Sequence, residues 1–241
     1  MEKLKTYKKD LGYSYALGAS PTIELLNNRP KDCFCVIFSP DYVDRADKIK
    51  NMCEKCAIPF ETNQKLINIL SPKENCYVIA AFKKQNYRIA QSKSHVLLDN
   101  PSDMGNLGTI MRSCAGFGVY DIAIVGNGAD AYSPKAIRAS MGAFFCVNIE
   151  YFKTIDDYLR LHEDGRDIYV FMLKADNELS CLSVDKNKSH TLIFGNEAFG
   201  LDFGAYKNIG KSVVIRHTDK IDSLSLPVAA GIALFWFARF S

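Results

Sequence analysis

From Ser94 onward, short apolar or β-branched runs alternate with helix-like stretches: His95–Leu98, Ile122–Val125, Phe144–Ile149, Ile168–Leu173, Thr191–Phe194 and Ser212–Ile215. Runs this short and this continuously apolar suit strands buried on both faces, and strands separated by helices cross over in parallel. The pattern predicts an α/β fold, a mainly parallel sheet with helices on both faces. One intervening helix is well punctuated, with Ser133 as N-cap, Pro134 in the first turn and Gly142 just beyond the end. The last, Leu226–Phe240, is apolar on most sides, which predicts burial in the core or against a second subunit.

The front of the chain has its own alternation. A helix around Ser20–Asn28, a run Cys33–Phe38, a helix around Val43–Cys56 and a run Cys76–Phe82 make a small α/β layer. Lys83–Lys93 then loses periodicity and carries several basic residues, which fits either a solvated connector or a segment that touches a polyanion. The expected organisation is a small domain over 1–83, a linker over 84–93 and a larger domain over 94–241. With 241 residues, 48% of them hydrophobic, the chain can fill such cores. A net charge of +3 permits RNA as a partner without arguing for it. The charged start and the lack of a long apolar span point away from a membrane and toward the cytoplasm.

Cys33-Phe-Cys35 and Cys53-Glu-Lys-Cys56 together could supply four zinc ligands. Their surroundings read as ordinary strand and helix, so the expectation is core cysteines and no metal.

Chemistry concentrates where strand-like runs pass into helix-like runs through glycine and small polar residues, the places where an α/β protein exposes backbone to a ligand. The first such segment is Asn100-Pro-Ser-Asp-Met-Gly-Asn106-Leu-Gly108-Thr-Ile-Met-Arg112. If Asn106 opens a helix, Gly105, Gly108 and Gly116 share a row with Arg112. Each glycine in a helix costs about 1 kcal/mol relative to alanine. Either close helix packing or room for a phosphate or sugar beside the guanidinium accounts for that row. The second segment, Ile193-Phe-Gly195-Asn-Glu197-Ala-Phe-Gly200, places a carboxylate in a turn. Glu197 there can orient a hydroxyl, meet a ligand amine or cap a helix starting near Asp202. The third, Asp222-Ser223-Leu-Ser-Leu-Pro-Val-Ala-Ala-Gly231, offers Ser223 and Ser225 ahead of a buried helix, where an N-cap is the simplest role. The dinucleotide fingerprint G-x-G-x-x-G is absent, and Gly210-Lys211-Ser212 lacks the rest of a phosphate loop.

In this order, and with Tyr132-Ser-Pro-Lys135-Ala-Ile-Arg138-Ala-Ser-Met-Gly142 between the first two, the segments resemble the SpoU/TrmH branch of the SPOUT methyltransferases over Ser94–Phe240. The front domain is similar to the ribosomal-protein-like RNA-binding module of that branch, on Gly18–Leu25 and Cys53–Leu70. The resemblance implies a deep trefoil knot, an exception to unknotted connection, and transfer of a methyl group from S-adenosylmethionine to a ribose 2′-hydroxyl of tRNA or rRNA. It implies cofactor contacts at Gly195, Ile215 and Leu224, with Gly200 and Leu173 as further contacts, and a homodimer with sites near the subunit interface. Arg112 takes the catalytic position, with Asn106, Glu197 and Ser223 orienting it and the ribose; DNA is not implied as a partner. Two departures stand out: Ser223-Leu224-Ser225 where the branch reads Ser-Leu-Asn, and Ile215-Arg216-His217 where it reads Ile-Pro-Met. They leave a rival, a non-catalytic RNA-binding or ribosome-associated protein that keeps the knotted fold.

Overall fold

In a computed structural model of the chain, residues 4–71, 75–185 and 187–238 are described. In chain order the elements are β1 (Tyr13–Leu17), α1 (Ala19–Asn28), β2 (Cys33–Phe38), α2 (Asp47–Lys55), β3 (Phe60–Thr62), α3 (Gln64–Leu70), β4 (Val78–Lys83), β5 (His95–Asp99), α4 (Met104–Gly116) and β6 (Asp121–Val125). Then follow α5 (Pro134–Ala139), β7 (Asn148–Phe152), α6 (Ile155–His162), β8 (Asp167–Phe171), β9 (Asn177–Glu178), β10 (His190–Phe194), α7 (Phe203–Tyr206), β11 (Lys211–Val214) and α8 (Leu226–Ala238). They pack as two units: Met1–Gln85 with Asp130–Cys146, and Asn86–Ala129 with Val147–Ser241.

The first unit is built on a four-stranded sheet of order β1-β4-β2-β3, antiparallel except for the β2/β3 pair. Cys33, Cys35 and Cys53 are buried thiols and Cys56 is exposed; burial pushes Cys33 up to about 12, and Cys35 and Cys53 up to about 11. Among the described residues no group of His, Cys, Asp and Glu is arranged to hold a metal ion. The helix read around Val43–Cys56 begins only at Asp47, because Pro40–Arg45 forms a 3-10 turn whose first N–H, on Asp41, is bonded by the Ser39 hydroxyl.

The run read as a strand over Phe144–Ile149 is a second correction. Ala143–Cys146 is a 3-10 turn and the strand starts at Asn148. Met141 and Gly142 both take positive φ, 54° and 92°, and turn the chain so that Phe144 and Phe145 pack edge-on with each other and both pack on Phe82, Phe145 edge-on and Phe144 tilted. Continuous apolarity marked the burial correctly but does not separate a strand from a buried turn. Ser133 caps α5 as its sequence suggests, accepting from Lys135 N at 3.3 Å.

The second unit holds a seven-stranded sheet of order β7-β6-β5-β10-β8-β11-β9, parallel at every pairing. Leu97, Ala123, Val170 and Ile193 fill its core with Phe152 and Tyr158. Residues 86–93 are not a free connector: Ile89 joins this core, its N–H donates to Glu150, and Ala90 N–H donates to Asp121. The final helix buries Leu226, Ala230, Ala233, Leu234 and Phe237 and leaves Val228, Ile232 and Phe235 exposed. The last residues of its expected span, up to Phe240, lie outside the described residues. Among the described residues no helix is long and apolar enough to cross a membrane.

Candidate cofactor and active site

β5 and β10 are neighbours from which the strand order runs outward in two directions, to β6 and β7 on one side and to β8, β11 and β9 on the other. Ligands of open parallel sheets bind at such a switch point, outside the carboxyl ends of the strands. The loops leaving β8, β10 and β11 converge there on a cavity of about 690 Å³. Leu173, Gly195, Gly200, Ile215 and Leu224 all line it, as do Glu197 and Ser223. Its floor includes Phe171 and Phe194, stacked at 4.6 Å between ring centroids.

The loop after β10 is tied together by its own hydrogen bonds. Asn196 N–H donates to Gly200 O at 3.0 Å and Gly200 N–H donates back to Asn196 O at 2.9 Å, with Gly200 at φ +68°. The Asn196 amide oxygen accepts from Ala198 N and Phe199 N, while its NH₂ donates to Asn100 O at 2.8 Å. A side chain at Gly195 would sit 2.5 Å from Gly200 O and Leu201 N, so only glycine lets the loop fold back on itself. The place of Asn196 between Gly195 and Glu197 in the sequence gives no sign that its side chain ties this loop to the one after β5.

Glu197 does not cap the next helix; Asp202 does that, accepting from Gly204 N at 2.8 Å. Glu197 instead reaches the segment after β5. It accepts from Ser102 N at 2.8 Å, Ser102 Oγ at 2.7 Å, Asp103 N at 3.2 Å and Asn106 Nδ2 at 3.1 Å. Partial burial works against its charge, but the donors from Ser102 and Asn106 outweigh it and hold the carboxyl below the usual carboxylate range. Sequence separations above 90 residues hid these partners.

Asn106 does not open its helix; Asp103 is the N-cap, accepting from Asn106 N at 2.8 Å. That leaves the Asn106 side chain, at the third helical position, free to donate to Glu197. The glycine row then has several explanations. A Cβ at Gly105 would meet the capping Asp103 carboxylate at 2.8 Å, Gly108 is buried in α4, and Gly116 faces open space. Arg112 is exposed, its guanidinium makes no hydrogen bond or ion pair among the described residues, and it is not part of the cavity wall. Ser223 is exposed on the wall, and Ser225 contributes its backbone carbonyl to Ala229 N at 3.0 Å. His217, a departure noted above, also lines the cavity, its ring Nδ1–H donating to Ile215 O at 2.9 Å.

A parallel α/β sheet with a nucleotide-sized cavity at its switch point, walled by glycine loops, is the architecture of the small-molecule-binding α/β proteins. A model of the SpoU rRNA Methylase family matches residues 93–235, and the chain belongs to that family. An uncharacterized tRNA/rRNA methyltransferase of Synechocystis is 28% identical over 141 residues, 58% of this chain and 51% of the relative. The 23S rRNA (guanosine(2553)-2′-O)-methyltransferase of Bacillus subtilis is 27% identical over 150 residues, 61% of this chain and 59% of the relative. The chain spans about half the length of the curated relatives it matches. Among solved structures, the AdoMet-bound rRNA methyltransferase from Sinorhizobium meliloti is 25% identical with a TM-score of 0.79, over 95% of this chain and 87% of that one. The SpoU methyltransferase AviRb from Streptomyces viridochromogenes shares the fold, with a TM-score of 0.80 at 18% identity over 95% of this chain and 89% of that one.

Proposed function

We propose that the chain transfers a methyl group from S-adenosylmethionine to a ribose 2′-hydroxyl of rRNA or tRNA. The observation that carries this reading is the single cavity in which Gly195, Gly200, Ile215, Leu224 and Leu173 meet Glu197 and Ser223. Its volume suits a nucleoside-sized ligand, and the glycine at 195 leaves backbone groups open to a close approach. Gly195, Ile215 and Leu224 hold the cofactor, with Gly200 and Leu173 at its edges. When bound, S-adenosylmethionine supplies an electrophilic methyl group on a cationic sulfur.

The chain's own residues have to orient the hydroxyl and stabilise the oxygen as its proton passes to solvent and the methyl group is taken up. A guanidinium is a fixed cation and a poor ground-state base, so Arg112 serves as an electrostatic and phosphate-fixing group. Glu197, through Ser102, Asp103 and Asn106, fixes the start of the helix that carries Arg112. Ser223 stands on the cavity wall to meet the ribose. The active form in this reading is a homodimer. Val228, Ile232 and Phe235 make an exposed apolar stripe on α8, which packs on α4, and Phe117 meets Phe235 edge-on at 6.2 Å. Pairing that face with its copy covers the stripe and brings Arg112 to a subunit boundary. The knot belongs to the same reading, supported by the insertion of β11 between β8 and β9. The front unit serves RNA recognition.

The test is incubation with radiolabelled S-adenosylmethionine and purified rRNA or tRNA, followed by digestion to nucleosides. Label in a 2′-O-methylnucleoside is expected, reduced on the order of a hundredfold by Arg112→Lys, which keeps the charge and loses the bidentate fork. Label on a base would move the reading to a base methyltransferase. RNA binding without any transfer would move it to the non-catalytic relative, with Ser225 the first residue to restore to asparagine.

A further inference from the structure

Phe199 is 90% exposed, although it sits in a loop pinned by paired backbone hydrogen bonds and by the Asn196 side chain. Two other apolar side chains of the same cavity wall stand in solvent, Phe203 at 60% and Leu173 at 61% exposure, with Lys174 beside Leu173. A loop tied down by its own hydrogen bonds that still holds an aromatic ring in water presents that ring's face to whatever enters the cavity.

We propose that Phe199, with Phe203 and Leu173 on the same wall, is a stacking platform for an unpaired base of the RNA substrate. The inference rests on the methyltransferase reading, because a ribose brought to this cavity carries its base to within one nucleotide of the wall. An unstacked base binds an aromatic face regardless of its identity, and Lys174 supplies a cation for the adjoining phosphate. The loop is already ordered, so stacking costs little additional freedom. A second copy of the chain has a different apolar surface available, the α8 stripe.

The test compares wild type, Phe199→Ala and Phe199→Trp for binding to short oligouridine and to an abasic ribose-phosphate strand of equal length. Phe199→Ala is expected to weaken oligouridine binding roughly five- to a hundredfold and to leave the abasic strand unaffected. Phe199→Trp is expected to bind within about threefold of wild type. Its added emission, against wild type with its single tryptophan at 236, is expected to be quenched by oligouridine alone. Unchanged oligouridine binding by Phe199→Ala overturns the proposal, as does an equal loss toward the abasic strand. A shift of Phe199→Ala from dimer to monomer overturns it too, by assigning the ring to a subunit contact. Titration of the same wild-type sample with S-adenosylmethionine judges the methyltransferase reading separately, so failure of one is not mistaken for failure of the other.

Discussion

Gly195 and Glu197 are two residues apart and fail for different reasons when changed. At Gly195 the obstacle is backbone, Gly200 O and Leu201 N at 2.5 Å from any Cβ, and backbone cannot swing aside as a side chain can. Gly195→Ala is expected to lower cofactor affinity at least tenfold (~1.4 kcal/mol) and to lower the melting temperature, both read on one preparation by calorimetry. Glu197→Gln puts an amide before the donors of Ser102 and Asp103. Hydrogen bonds to a charged group contribute about 1.5–3 kcal/mol, so kcat is expected to fall about ten- to a hundredfold. The KM for S-adenosylmethionine is expected to change much less, because the carboxylate acts on the segment after β5. Equal changes in both constants would contradict that positioning role. Gly195 and Gly200 were legible in the sequence as turn residues, because a turn this tight leaves no room for a Cβ at 195 and takes positive φ at 200; Glu197 was legible as a carboxylate in a turn, though not what it binds. Asn196, Ser102 and Asp103 were not, since their work is to join segments far apart in the chain.

At the scale of elements, the amino ends of the strands are held by a buried polar cluster remote in sequence from the site motifs. Arg166 donates to His95 Nδ1 at 2.8 Å, to Thr191 Oγ1 at 2.9 Å, and to the carbonyls of Gln91 and Lys93 at 2.6 and 3.1 Å. His95 Nε2–H donates to Ala90 O at 2.9 Å, which leaves Nδ1 as the acceptor. Burial and then the Arg166 charge push His95 down to about 3 and His190 down to about 4. Both rings therefore bind protons more weakly folded than unfolded. Stability is full above the unfolded value near 6.5 and falls as pH drops from there toward 4. At pH 5 each histidine is expected to cost about 2 kcal/mol, and His190→Gln is expected to flatten the fall of melting temperature between pH 6.5 and 5. A melting curve independent of pH across that window would contradict the assignment. The strands carrying this cluster were legible from apolar runs. The cluster was not, because Arg166 meets His95, Thr191 and the carbonyls of Gln91 and Lys93 across 25 to 75 residues of chain; Phe144–Ile149 was misread for another reason, since an apolar run marks burial and not the kind of element.

For the whole molecule, the parallel sheet follows from the alternation that begins at Ser94, and the homodimer proposed above is open to a direct test. Phe235→Asp, placed on the exposed stripe of α8, is expected to convert a dimer to a monomer by light scattering while leaving the helical signal intact; a dimer that survives it would put the interface elsewhere. The central claim, that the cavity among the β8, β10 and β11 loops is a cofactor site, is tested most directly by calorimetric titration with S-adenosylmethionine. Wild type is to be compared with Ala229→Trp, which is designed to fill the cavity from the α8 side and leaves the 195–200 sequence unchanged. Saturable single-site binding by wild type, lost in Ala229→Trp at an unchanged melting temperature, is the expected result. No binding by wild type, or binding that the tryptophan leaves untouched, would contradict it.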